Sequence, residues 1–176
     1  HADLYGQGFA STWGCGVLAD LGGNDSYDAG QAHLHAPLYR DRYQALSQGF
    51  AIGMRPDASG GVGVLVDVSG NDRYATDIYG QGSSYWYSLG LLVDDDGNDT
   101  YNGVHYCQGT GIHLSAGMLL DRAGNDSYYC LNGVGIGGAH DFAVGFLVDR
   151  AGDDYYTGSG GSQGGALTNS VAILLD

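Results

Sequence analysis

The sequence predicts an all-β chain wound into a parallel β-solenoid of about six coils. Three observations lead there: a unit of about 27 residues returns along the chain, each unit carries a short apolar run ended by a turn, and good helix formers are scarce. All 20 acidic residues are Asp and all 6 basic residues are Arg, while Gly contributes 33 and Tyr 14 of the 176 residues. Without Glu or Lys helical propensity is low, and the 3.6-residue period of a helix is absent. One domain is expected over residues 1–176, as a stretch of a longer repeat array, with residues 28–62 forming a coil enlarged by inserted loops.

The unit reads Gly16-Val17-Leu18-Ala19-Asp20 followed by Gly23-Asn24-Asp25-Ser26-Tyr27. It returns at Gly63–Asp67 with Gly70–Tyr74, at Gly90–Asp94 with Gly97–Tyr101, at Gly117–Asp121 with Gly124–Tyr128, and at Gly145–Asp149 with Gly152–Tyr156; a sixth copy begins at Ala172. The first aspartates are spaced 47, 27, 27, 28 and 27 residues apart, the 47 being one coil plus a 20-residue excursion. Runs such as Val64-Leu65-Val66 read as strands and Asp-x-x-Gly as a tight turn. One such strand cannot bury its apolar side alone, so copies must stack, with equivalent residues roughly 4.8 Å apart. Alternation sends the middle apolar residue to one face and its neighbours to the other. Both faces are therefore apolar and both are expected to be covered, the second by the remainder of the coil or by another subunit.

A second signature, Gln-Gly, falls seven residues after the repeat tyrosine at Gln81, Gln108 and Gln163, with Gln7 and Gln48 in the same column and Gly135 in the Gln position of one copy. Cys15, Cys107 and Cys130 make no metal motif. Cys107 and Cys130 lie about four residues out of register, so no bridge is predicted and the cysteines read as small buried hydrophobes.

A formal charge of −14 disfavours nucleic acid and anionic membrane surfaces as partners, and no apolar run suits membrane insertion. The acidity either keeps an extracellular protein soluble or serves cations. Stacking places Asp20, Asp67, Asp94, Asp121 and Asp149 in one column and Asp25, Asp72, Asp99, Asp126 and Asp154 in another. Carboxylates about 5 Å apart repel by roughly 1 kcal/mol in water and about 3 kcal/mol at an effective dielectric of about 20. Backbone N–H donors, raised pKa values or a bound cation relieve this, and hard oxygen donors point to Ca²⁺. The alternative is that each aspartate only caps its own turn. Asn24, Asn71, Asn98 and Asn125 are expected to stack amide on amide.

Gly97-Asn98-Asp99-Thr100-Tyr101 and its equivalents resemble the RTX calcium-binding nonapeptide repeat. That resemblance implies a parallel β-roll with Ca²⁺ held between coils, and Asp25, Asp72, Asp99, Asp126 and Asp154 as ligands. It spans about a third of each unit; the first glycine of the family motif is Asp here, and the nonapeptides are not in tandem.

The repeat is interrupted once, by 14 residues added between Tyr27 and Gln48 and six between Gln48 and Gly63. Insertions in repeat proteins emerge on one face, often the binding face. These loops hold His33, His35, Tyr39, Arg40, Asp41, Arg42, Tyr43 and Arg55, stiffened by Pro37 and Pro56. They suit an anionic group or a partner, or the arginines pair with nearby Asp and the loop caps the coil. Trp86, His113 and His140 form another column, five residues after Gln, in which the last is uncertain by one. It reads as a stacked surface column, since two histidines alone make an incomplete transition-metal site. Trp86 with Tyr85 and Tyr87 also offers an aromatic platform for a sugar. No nucleophile–base set and no phosphate loop is legible.

The function expected is a non-enzymatic, calcium-stabilised β-solenoid of the extracellular space or cell surface, serving structure, adhesion or assembly, with self-association or a protein partner on an apolar sheet face. The alternative is a carbohydrate-active β-helix that binds or cleaves polysaccharide in a cleft formed by residues 33–55 and Trp86.

Overall fold

The computed structural model describes residues 1–176. Its elements are strands, and no helix is long and apolar enough to cross a membrane. Three parallel sheets run the length of the coil. The long sheet stacks Cys15–Ala19, Val62–Asp67, Leu89–Asp94, Ala116–Asp121, Val144–Val148 and Val171–Leu175. A second sheet stacks Ser26–Asp28, Arg73–Ala75, Thr100–Gly103, Ser127–Cys130 and Tyr155–Gly158, and a third stacks Ala51–Ile52, Ser84–Tyr85, Gly111–Ile112, Ala139–His140 and Ala166–Leu167. Four regular coils join the second long strand to the last, and one enlarged coil joins the first to the second. The count is five complete coils where about six were expected, because the sixth unit contributes only its long strand.

Register follows the repeat. Leu18, Leu65, Leu92, Leu119, Leu147 and Leu174 pair in one column, and the central four are completely buried. In a regular unit Gly63, Leu65 and Asp67 face inward while Val62, Val64 and Val66 face outward. Of the two covers expected for the second face, the remainder of the coil is not one: it packs on the Leu65 side only. The outward face runs through Val64, Leu91, Met118 and Phe146 and stays half-buried, with the end residues Val17 and Val171 exposed.

Two backbone devices make the stacking possible. At the turn, a Cβ on Gly97 would lie 1.7 Å from the Gly70 carbonyl oxygen of the coil before, so the turns approach closely only as glycine. At the Gln-Gly column both residues adopt left-handed φ, as in Gln81 (54°) and Gly82 (71°), a two-residue reversal of the kind that favours Gly second. The amides of Gln48, Gln81 and Gln108 then each donate to two carbonyls, Gln108 to Tyr101 O at 2.9 Å and Tyr129 O at 3.0 Å. The irregular copy is also corrected: Gly137 N donates to Gln108 O, so Ile136, not Gly135, occupies the Gln position.

Candidate cation ladder and the surfaces around it

Both aspartate columns point into the coil. Asp67, Asp94 and Asp121 are completely buried, and Asp72, Asp99, Asp126 and Asp149 nearly so. Asp20, Asp25 and Asp154, near the two ends, are half-buried.

The first column is held by a feature that reading the sequence for charge missed. Tyr27, Tyr74, Tyr101, Tyr128 and Tyr156 stack inside the coil with ring centroids 4.8–4.9 Å apart. The first four hydroxyls each donate to an aspartate of the following coil, Tyr74 to Asp94 at 2.6 Å, Tyr101 to Asp121 at 2.7 Å and Tyr128 to Asp149 at 2.8 Å, while the last, Tyr156, donates back to Asp149 at 3.2 Å. Burial, then the adjacent carboxylates, push these phenols well above their ordinary value, so they act only as donors. The signal was present, since the Tyr closes every G-N-D-x-Y and strand alternation from Asp places it inward.

The second column is held by main chain. Asp72 N–H donates to Asp99 Oδ1 and Asp99 N–H to Asp126 Oδ1, both at 2.6 Å, and Asp126 N–H to Asp154 Oδ1 at 2.7 Å. The asparagines run the opposite way: Asn98 N–H donates to Asn71 Oδ1 at 2.8 Å and Asn125 N–H to Asn98 Oδ1 at 2.9 Å. Their side-chain amides also pair, Asn98 Nδ2 to Asn71 Oδ1 at 3.1 Å and Asn125 Nδ2 to Asn98 Oδ1 at 3.0 Å. Every turn is thus tied to both of its neighbours.

These bonds leave oxygens over. Asp72 Oδ2, Asp94 Oδ1, Asp99 Oδ2, Asp126 Oδ2, Asp149 Oδ1 and Asp154 Oδ2 are buried without a hydrogen-bond partner. The residues that carry them fall into clusters, Asp72–Asp94–Asp99, Asp99–Asp121–Asp126 and Asp126–Asp149–Asp154, with Asp20–Asp25–Asp67 at the start; in each, one oxygen from every carboxylate lies within 4.8 Å of the others. Burial drives Asp94, Asp121 and Asp126 up to about 7, Asp99 to about 8 and Asp72 to about 6. Neighbouring carboxylates add to the rise, and the Tyr or N–H donors partly offset it.

No family model, curated protein or solved structure matches the chain.

The surface residues singled out in the sequence are scattered. The excursion folds as a hairpin, His35 N–H donating to Arg42 O and Gln44 N–H to His33 O. His33 and Arg40 are exposed. His35 Nε2 lies 3.2 Å from the Tyr79 hydroxyl, so the hairpin leans on the coil. Arg42 pairs with Asp77 at 3.9 Å and, with Arg73, Asp28 and Tyr129, lines a cavity of about 310 Å³ over the second sheet. Arg55 lies 5.1 Å over the Trp86 ring and covers one face of it. Trp86 and Arg42 therefore line no common cleft. The column of Trp86, His113 and His140 is likewise corrected: His140 pairs in register with Ile112, so Asp141 stands over His113. Cys107 and Cys130 are buried, and the four-residue offset does not separate them, since their sulfurs lie 3.7 Å apart; Cys15, expected to be buried like them, is exposed at the first strand.

Proposed function

We propose that the chain is a non-catalytic structural solenoid whose interior carboxylate ladder holds calcium, in the extracellular space or at a cell surface, and whose outer apolar face serves assembly. The observation that carries this is the set of buried, unpartnered carboxylate oxygens between coils. A buried polar atom without a partner costs about 1–3 kcal/mol, more when charged. Each coil adds two aspartates to the interior, and one divalent cation per coil balances them. The donors are all hard oxygens, which suit Ca²⁺. The two or three unpartnered oxygens of each cluster from Asp72 to Asp154 fall short of the six to eight that Ca²⁺ takes, so the second carboxylate oxygens or water complete the shell. Calcium affinities of roughly 10⁻⁴–10⁻³ M typify extracellular modules, which is where such an incompletely liganded site would fill.

Melting the metal-free protein at pH 8, then adding Ca²⁺, tests this. Binding confined to the folded form adds about 2.7 kcal/mol per site at a hundredfold excess over Kd, roughly 5–10 °C in a chain of this size. A midpoint that chelator and Ca²⁺ both leave unmoved, with no metal by elemental analysis, sinks the reading.

The raised carboxyls favour a second reading, in which protons neutralise the ladder. A carboxyl raised when folded contributes stability that is complete below its unfolded value, about 4, and is lost as pH climbs through its folded value. The metal-free midpoint then falls from about pH 4 to pH 8, where Asp99 titrates. Calcium requires the ionised form, so under the first reading its effect grows over the same range and is small at pH 5. A falling midpoint that Ca²⁺ does not restore at pH 8 selects the proton.

The outer face of the long sheet suits a second copy. Its columns, such as Val17, Val64, Leu91, Met118, Phe146 and Ile173, carry no charge on a chain of net charge −14. Apposing two such faces buries apolar surface without confronting like charges. Met118→Lys is expected to shift the sedimenting species toward monomer while leaving the unfolding free energy of the isolated chain within about 0.5 kcal/mol.

A further inference from the structure

Outside the carboxylate ladder, one other group of metal-competent side chains comes together, on the surface where the third sheet turns into the long one. Trp86, His113, Asp141 and Thr168 each follow the short strand of their coil with left-handed φ between 51° and 59°. The extra residue in the coil that ends at His140 shifts the pattern by one. As a result two imidazoles from neighbouring coils and one carboxylate meet at a single point. His113 Nδ1 lies 2.8 Å and His140 Nδ1 3.2 Å from the same oxygen, Asp141 Oδ2. The two rings are 4.7 Å apart, and one ligand atom from each of the three residues lies within 4.8 Å of the others.

We propose that His113, His140 and Asp141 form a binding site for a divalent transition ion of zinc's class, separate from the interior ladder. Two imidazole nitrogens with one carboxylate oxygen form a borderline donor set that suits Zn²⁺, and three protein ligands leave a fourth position open to water. Ligands about 2.0–2.2 Å from a tetrahedral ion stand roughly 3.3–3.5 Å from one another. The three atoms need move only slightly to admit one.

His140 is oriented for this. Its Nε2 lies 2.9 Å from the Tyr106 hydroxyl, and its ring stacks on Tyr106 at 5.4 Å, so Nδ1 is the nitrogen turned to Asp141. The Tyr85 ring meets His113 edge-on at 4.9 Å. The backbone fixes the two coils together, with His113 N–H donating to His140 O at 3.1 Å and Leu114 N–H to Asp141 O at 3.0 Å. The imidazoles are 18% and 16% exposed and the carboxylate 36%, which leaves a path for water. The ladder's aspartates share no residue with this group and offer only oxygen, so the two sites select different ions.

The test uses tag-free protein in excess Ca²⁺, titrated with Co²⁺ and followed by visible absorption. One equivalent is expected to give the intense d–d band of a four-coordinate ion, and Zn²⁺ is expected to abolish it by displacement. Asp141→Asn and His113→Ala should each weaken Co²⁺ binding on the order of tenfold or more while leaving the Ca²⁺-dependent melting shift intact. Should His113→Ala fail to fold, the isosteric Asp141→Asn decides alone. No band at all, or a band of unchanged strength in Asp141→Asn, overturns the proposal; the second result would place the ion elsewhere, such as the His1–Asp3 pair or the exposed thiol of Cys15.

Discussion

Along the interior columns the coils repeat one another's contacts, whereas the loop inserted between Gly30 and Gln44 makes its side-chain contacts once. Asp99 receives a main-chain N–H from Asp72 and passes its own to Asp126, in the same geometry at every step. Arg42 meets Asp77, and His35 meets Tyr79, with no counterpart elsewhere. Repetition multiplies both a good contact and a bad one: it stacks five tyrosines, and it also gathers aspartates that no arginine reaches. The single-use contacts carry neither the benefit nor the penalty, so perturbations should grade steeply from the ladder to the excursion.

The largest effect is expected where repetition leaves no room. In Gly97→Ala the new Cβ meets the Gly70 carbonyl at 1.7 Å. Both groups are main chain tied to adjacent coils, so neither can move without breaking the turn. A loss of more than about 3 kcal/mol by urea titration, or no soluble folded protein, is expected. Gly160→Ala, with nothing near its added carbon, is the matched control and should change stability by less than about 0.5 kcal/mol. Equal effects of the two would mean that close turn packing does not set the stacking.

The next effect separates the two halves of each rung. Tyr101→Phe removes the 2.7 Å hydrogen bond to Asp121 and leaves the ring stack in place. Loss of a donor to a buried carboxylate costs about 1–3 kcal/mol. If calcium occupies the ladder, the freed oxygen of Asp121 becomes a further ligand, so the cost should shrink when Ca²⁺ is added. If protons occupy it, the cost should shrink on lowering the pH and ignore Ca²⁺. Urea titrations of the variant at pH 5 and pH 8, with and without Ca²⁺, read both dependences.

This grading also explains what the sequence made legible. Period and alternation located the long strands, the Leu column and both Asp columns, because a repeat constrains its members to equivalent places. The role of Tyr101 and its equivalents was not legible as chemistry, since an aromatic at a fixed repeat position reads as core until its hydroxyl is seen to reach Asp121. The meeting of His113 with Asp141 escaped because one extra residue in a single coil shifts the column by one, and periodicity carries no information about which side of the shift a residue falls. The course of the excursion was not legible for the same reason. Nothing repeats there, so composition alone suggested that Arg40, Arg42, His33 and Trp86 converge, while the hairpin sends Arg42 to Asp77 and leaves Trp86 to Arg55.

The smallest effect is expected at Arg42. Its guanidinium stands 3.9 Å from Asp77, and both side chains are partly exposed, 37% and 26%. At that distance and exposure an ion pair contributes little, because water screens the attraction and ordering two side chains opposes it. Asp77 has a second partner, the main-chain N–H of Tyr43 at 2.9 Å, which remains when Arg42 is truncated. The hairpin also keeps its own backbone bonds, from His35 N–H to Arg42 O and Gln44 N–H to His33 O. Arg42→Ala should therefore move stability by less than about 0.5 kcal/mol, with a change that disappears at high salt. A larger, salt-insensitive loss would show that the excursion buttresses the coil, and the contrast between ladder and loop would then be one of degree alone.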